Sequence, residues 1–256
     1  MKPSLSITEQ NHPSNIKIDK LKVEDSFDFM LDDQKLALKA IKNSKTEIIE
    51  VIKSLVFWLK KYNDGRLIYC GAGTSGRIGV QDGVELTPTF GWASSRIDFI
   101  IAGGEKALTK SIENAEDSEL EAKKLFLEKA VSNHDIVIGL AASGNTVFTE
   151  TILKKARGVG ALTVGISNNP FGKILNHSVH KIILNTKGEV ISGSTRLKAG
   201  TSQKICLNII STMVMVSLGR VCDGLMTHMI ATNKKLKKRK ILIDNLMNKK
   251  WVCSYY

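Results

Sequence analysis

Three stretches of small and hydroxyl-bearing residues hold the groups best suited to grip an anion. They are Gly71-Ala-Gly-Thr-Ser-Gly-Arg-Ile-Gly79, Ser143-Gly-Asn-Thr146 and Ser192-Gly-Ser-Thr-Arg-Leu-Lys198. In the first, glycines let the backbone approach a ligand, and free N–H groups at a helix start suit phosphate, as do the hydroxyls of Thr74 and Ser75. Gly71, Gly73 and Gly76 satisfy Gly-x-Gly-x-x-Gly, yet no Gly-Lys-Ser/Thr follows, so this is no Walker loop. The paired hydroxyls favour a lone phosphate monoester over a pyrophosphate. The candidate contacts are Gly73, Thr74 and Ser75, then Ser143, Asn145 and Thr146, then Ser194, Thr195 and Lys198. Convergent hydroxyls, backbone N–H groups and one cation suit a sugar phosphate. Taken singly, each cluster is equally a helix cap, the reading adopted for Thr201-Ser202.

Two carboxylates stand out. Glu85 follows the glycine run by about three helical turns in an otherwise neutral segment, and Glu116 sits in Glu113-Asn-Ala-Glu-Asp117. A carboxyl among apolar neighbours can be raised in pKa and act as an acid while another stays ionised as a base. From spacing alone, solvated helical residues remain the commoner outcome. Among the five histidines only His177 and His180 have a metal-like spacing, with no carboxylate or cysteine near them in sequence, so no metal is expected. No Gly-x-Ser-x-Gly elbow is present.

The elements that would hold these groups alternate between strand and helix. Apolar runs predict strands over 66–70, 97–102, 135–140, 161–166 and 179–184. Helices are expected over 78–86, stopped by Pro88, then 107–130, 148–157 and 201–218. Before them, a polar arm over 1–20 leads to helical spacing from Ser26, with Asp32-Asp33 as a cap between helices and a strong apolar face from Ile48 to Leu59. This order implies a three-layer α/β/α sandwich on a mainly parallel five-stranded sheet, preceded by an N-terminal helical arm. Ligands in such sheets bind beyond the carboxyl ends of the strands, where the hydroxyl-rich turns fall.

A chain of 256 residues that is 43% hydrophobic is ample for one such domain. Its four cysteines, Cys70, Cys206, Cys222 and Cys253, form no Cys-x-x-Cys pair, which fits reduced thiols in the cytoplasm. The first residues lack a secretory apolar core, and the longest apolar stretch, 205–218, is too short to span a bilayer. The net charge of +12 raises nucleic acid as a partner, but much of the excess lies in Lys234-Lys-Leu-Lys-Lys-Arg-Lys240. Without interleaved aromatics, that run reads as a solvated helix face.

Together the segments resemble one family, N-acetylmuramic acid 6-phosphate etherase, of the sugar isomerase (SIS) fold. The resemblance rests on Ile7-Thr-Glu-Gln-Asn-His-Pro-Ser14, Gly71 to Gly79, Ile101-Ala-Gly-Gly-Glu105, Glu113 to Asp117 and Gly139-Leu-Ala-Ala-Ser-Gly144. It continues through Gly193 to Lys204 and Ala231-Thr-Asn233, covering roughly residues 5–240. It implies cleavage of N-acetylmuramic acid 6-phosphate to N-acetylglucosamine 6-phosphate and D-lactate in cell-wall recycling, without a cofactor. The implied roles are Glu85 as acid at the ether oxygen and Glu116 as base at C2, in a homodimer with sites near the interface.

The chain departs from the family where Ala-Ser-Glu-Cys-Pro-Pro-Thr is usual and Gly83-Val-Glu-Leu-Thr-Pro-Thr89 stands, and where Arg-Thr-Pro-Tyr gives way to Asn145-Thr-Val-Phe148. Those changes bear on substrate specificity. The family's C-terminal helical domain is expected to be absent or reduced to one basic helix. The expected organisation is 1–60 as arm and helices, 61–222 as the sugar-phosphate-binding domain and 223–256 as a basic helical tail. The rival readings are a non-catalytic sugar-phosphate sensor, like the glucokinase regulatory protein, and an aldose–ketose isomerase. Retention of both Glu85 and Glu116 favours the etherase.

Overall fold

Side chains alternate along the first strand between two separate apolar layers. The computed structural model describes residues 6–231 and 234–253. Residues 1–5 of the expected arm, Thr232-Asn233 of the quoted C-terminal motif and residues 254–256 of the tail lie outside the described residues. In β1 (Leu67–Gly71), Leu67 and Tyr69 face one layer, and Ile68 and Cys70 face the other. β2 (Ile97–Ile101), β3 (Ile136–Ala141), β4 (Leu162–Ser167) and β5 (His180–Ile183) complete one sheet in the order β2-β1-β3-β4-β5. Every pairing is parallel. All six residues of β3 are buried, as the middle of a sheet covered on both faces requires.

The helices α1 (Val23–Asp33), α2 (Lys35–Asn43) and α3 (Lys45–Lys61) precede the sheet. Ile48, Val51, Leu55 and Leu59 of α3 lie in the same core as Leu67, Ile138 and Val164 of the sheet. The arm thus supplies part of one covering layer. α4 (Gly73–Val84), the short α5 (Leu86–Phe90) and α8 (Lys198–Ser217) complete that layer, while α6 (Glu119–Glu128) and α7 (Val147–Gly158) cover the other face. The final helix, α9 (Lys234–Cys253), carries the basic run, and all five lysines and the arginine from Lys234 to Lys240 are exposed.

Four local expectations differ. α4 begins at Gly73 within the glycine run rather than at 78, and Pro88 lies inside α5. There its missing N–H falls among first-turn donors that have no helical partner. The charged segment 107–130 is not one helix. It breaks into 3-10 turns at Glu105–Leu108 and Ala115–Asp117 before α6, which Ser118 starts by accepting the Glu121 N–H at 3.1 Å. Asp32-Asp33 caps nothing; Gln34 joins α1 to α2 without a side-chain cap, and Asp33 is buried for another purpose. Thr201 and Ser202 lie inside α8 and donate back to Leu197 and Ala199 carbonyls.

Candidate active site

The sheet order changes direction between β1 and β3, where Gly71 pairs with Leu140 at the carboxyl edge. A crevice opens at such a switch point, because the segments leaving the two strands turn to opposite faces. Residues 72–75 leave β1 and residues 142–146 leave β3. Gly76 packs so closely on the strand end that a Cβ would stand 2.9 Å from the Gly71 carbonyl oxygen. Gly73 adopts φ +53° with open space beside it, which frees the first turn of α4 toward the crevice.

Two adjoining hollows occupy this edge. One, of about 330 Å³, is lined by Gly73, Thr74 and Ser75 from the start of α4, by Ser143 and Thr146 before α7, and by Thr195. Neither Ala72 nor Thr146, the residues preceding the two helices, caps its helix through a side chain. Two helix N-termini therefore present backbone N–H groups to one hydroxyl-lined space, which suits a phosphate dianion. The second hollow, of about 340 Å³, shares Gly73, Thr74 and Glu116 with the first and adds Arg77, Lys110, Glu113 and Asn114. Arg77 braces it by donating to the Ala107 and Lys110 carbonyls, each at 2.9 Å. Among the described residues, no carboxylate pairs with the Lys110 ammonium. Glu116 stands at the junction of the two hollows, exposed, on a 3-10 turn that begins after Asn114 in the left-handed region (φ 58°).

The structure thus brings Gly73, Thr74, Ser75, Ser143, Thr146, Thr195 and Glu116 together, and it leaves four expected residues elsewhere. Asn145 turns outward, its Oδ1 accepting the Lys173 N–H at 3.2 Å. Ser194 is half-buried and outside both linings. Lys198 is closed off behind the crevice, with its ammonium on Asp33 (2.8 and 3.0 Å) and the Gly188 carbonyl (2.6 Å). Beside it Glu189 accepts the N–H groups of Lys198 (3.3 Å) and Ala199 (2.8 Å), so the start of α8 is satisfied internally. Burial pushes the Glu189 carboxyl up despite those bonds. Glu85 is exposed and follows the last residue of α4, about 18 Å along the helix from the glycine loop by the helical rise.

The chain is 42% identical over 232 residues to an N-acetylmuramic acid 6-phosphate etherase of Deinococcus radiodurans, covering 91% of this chain and 75% of that protein. It is 43% identical over 239 residues to one of Oceanobacillus iheyensis, covering 93% and 81%. The chain belongs to the N-acetylmuramic acid 6-phosphate etherase family. Residues 47–156 also match the model of the glucokinase regulatory protein N-terminal SIS domain. Among solved structures, a phosphoheptose isomerase of Francisella tularensis superposes with TM-score 0.57 at 15% identity, over 77% of this chain and 100% of that one. That likeness confirms the SIS fold.

Within this etherase-family chain, Glu9 is the lining residue that sequence reasoning passed over. It belongs to the Ile7–Ser14 motif, which carries the family resemblance but offers no site residue from spacing, and its side chain lines the hydroxyl-rich hollow. An acidic residue in a motif-bearing segment outside any long helix or strand was the available signal. Arg77 and Lys110 gave none, since basic residues near a helix are usually solvated. Among the described residues, no group of three or more His, Cys, Asp or Glu side chains is placed to hold a metal ion. No helix among them is long and apolar enough to cross a membrane.

Proposed function

We propose that this chain cleaves the D-lactyl ether of N-acetylmuramic acid 6-phosphate by elimination and hydration, giving N-acetylglucosamine 6-phosphate and D-lactate. The observation that carries the reading is the place of Glu116, between a hydroxyl-lined hollow and one bearing Arg77 and Lys110. The substrate has an anion at each end, a phosphate on C6 and a carboxylate on the lactyl group, with the reacting C2 and C3 between them. Phosphate on the helix N-termini and lactyl carboxylate toward Lys110 leave C2 beside Glu116. The names of the relatives favour the same activity.

In the open-chain sugar the C2 proton lies next to the aldehyde and is acidic enough for a carboxylate base. Glu116 takes that proton, the C3–O bond breaks, and lactate leaves with a proton from an acid. Water then adds across the resulting C2=C3 double bond, its hydroxyl to C3 and a proton to C2. We assign the acid to Glu85. Because Glu85 lies at the far end of α4 from Glu116 of its own protomer, the acid comes from a second copy, and the working unit is a homodimer. Ile209, Met213 and Val216 form an exposed apolar stripe on α8. The last turn of α4 is tied to that helix through Asp82, which accepts from Asn208 and Ser211. A copy packing on this stripe would meet Glu85 as well. We assign the reaction to the cytoplasm, in recycling of cell-wall sugars. Incubation with N-acetylmuramic acid 6-phosphate should release D-lactate. Tight binding without release would overturn the lyase reading in favour of a sensor.

A further inference from the structure

Glu9 brings a negative charge into the hollow that the helix N-termini fit for phosphate, and among the described residues no Lys, Arg or His lines that hollow with it. The carboxylate is therefore not present to complete an ion pair, and beside a phosphate it would repel. What it can do without penalty is accept a hydrogen bond from a neutral donor. Its position is set by the fold. The segment carrying it is fastened by Asn169 Nδ2 donating to Ser6 Oγ (3.1 Å), Ser192 Oγ donating to Asn11 Oδ1 (3.1 Å) and His12 Nε2 on Asp33 Oδ1 (3.0 Å). Thr8 is buried. Across from it Gly193, at φ +77°, leaves room that a side chain would remove, since a Cβ there would stand 2.9 Å from Glu9 Oε2.

We propose that Glu9 is a substrate-contacting, specificity-determining residue that accepts a hydrogen bond from a hydroxyl of the sugar while the α4 and α7 N-termini hold its phosphate. The segment 6–12 is then a fixed wall of the site that reads the sugar. This rests on the sugar-phosphate reading of the hollow.

The test compares binding of inorganic phosphate and of N-acetylglucosamine 6-phosphate by calorimetry to the parent, Glu9→Gln and Glu9→Ala. A hydrogen bond to a charged group that is lost only with the sugar weakens N-acetylglucosamine 6-phosphate by roughly 10- to 100-fold in Glu9→Ala and less in Glu9→Gln. Inorganic phosphate binds as tightly as to the parent or more tightly, because a repelling charge is gone. Unchanged sugar-phosphate affinity in Glu9→Ala overturns the proposal, and so does an equal loss for both ligands, which marks a damaged cradle. If the parent binds N-acetylglucosamine 6-phosphate no better than inorganic phosphate, the sugar-phosphate reading itself fails and Glu9 has nothing to read.

Discussion

The ammonium of Lys198 lies 2.8 Å and 3.0 Å from the two carboxylate oxygens of Asp33, and neither side chain is open to solvent. The pair ties the first residue of α8 to the last residue of α1, and His12 adds the N-terminal segment to it. Removing the lysine leaves the Asp33 carboxylate buried with His12 as its remaining side-chain partner. Lys198→Met should therefore destabilise the fold by about 3–5 kcal/mol, read from urea unfolding. Replacing both, as Lys198→Met with Asp33→Leu, should recover most of that. A stable Lys198→Met that has lost sugar-phosphate binding would return the residue to the ligand set.

A second expectation concerns pH. Burial pushes the Asp82 carboxyl above its ordinary value, and the hydrogen bonds from Ser211, Asn208 and Tyr69 offset this only in part. Its charged form is thus less favoured folded than unfolded. The stability that Asp82 contributes is full below the ordinary value of 3.8 and is lost as pH rises through the raised folded value. The stability of the parent relative to Asp82→Asn should fall over that interval and level off above it. A difference independent of pH from acid to neutral would show that Asp82 does not titrate there.

The layered fold was legible because strand and helix periods are written in consecutive residues. The run Ile136–Leu140 can serve only as a covered strand, and the apolar face of 48–59 has one helical spacing. The site was legible where a residue belongs to a loop that leaves a strand, as Thr74, Ser75, Ser143 and Thr146 do. It was not legible where a long-range partner decides. Lys198 looks like a free cation until Asp33, far away in the chain, is brought against it. Glu9 looks like an arm residue until the arm is fastened over the sheet edge. Glu85 was already about three helical turns from the glycine loop by its spacing, and α4 keeps it at that distance; what the spacing does not show is which surface meets it there.

The two ends of the substrate should respond separately. Ser75→Ala or Ser143→Ala removes a hydroxyl from the phosphate cradle and should cost about 1.5–3 kcal/mol for every sugar phosphate alike. The Ser143 oxygen accepts the Asn145 N–H at 3.2 Å, leaving its O–H to donate. Lys110→Met should weaken N-acetylmuramic acid 6-phosphate by a similar amount but leave N-acetylglucosamine 6-phosphate, which has no carboxylate, unaffected. Equal loss for both sugars would remove Lys110 from the lactyl subsite.

The division of labour between Glu116 and Glu85 has the sharpest test. Glu116→Gln should abolish both D-lactate release and exchange of the C2 proton with solvent deuterium, since both need the base. Glu85→Gln should keep exchange, because proton removal does not need the leaving-group acid. Its lactate release should slow by roughly 10²–10⁴-fold, the usual worth of a positioned proton donor. If each site joins Glu116 of one protomer to the partner subunit's Glu85, mixing the two inactive variants restores activity. Half of the randomly exchanged dimers are mixed, and one of their two sites then holds both native carboxylates. Lactate release should thus return to about a quarter of the parent's rate, by the two-fold symmetry of such a dimer. Sites confined to one protomer give no recovery on mixing. Full lactate release by Glu85→Gln alone would place the acid at another residue.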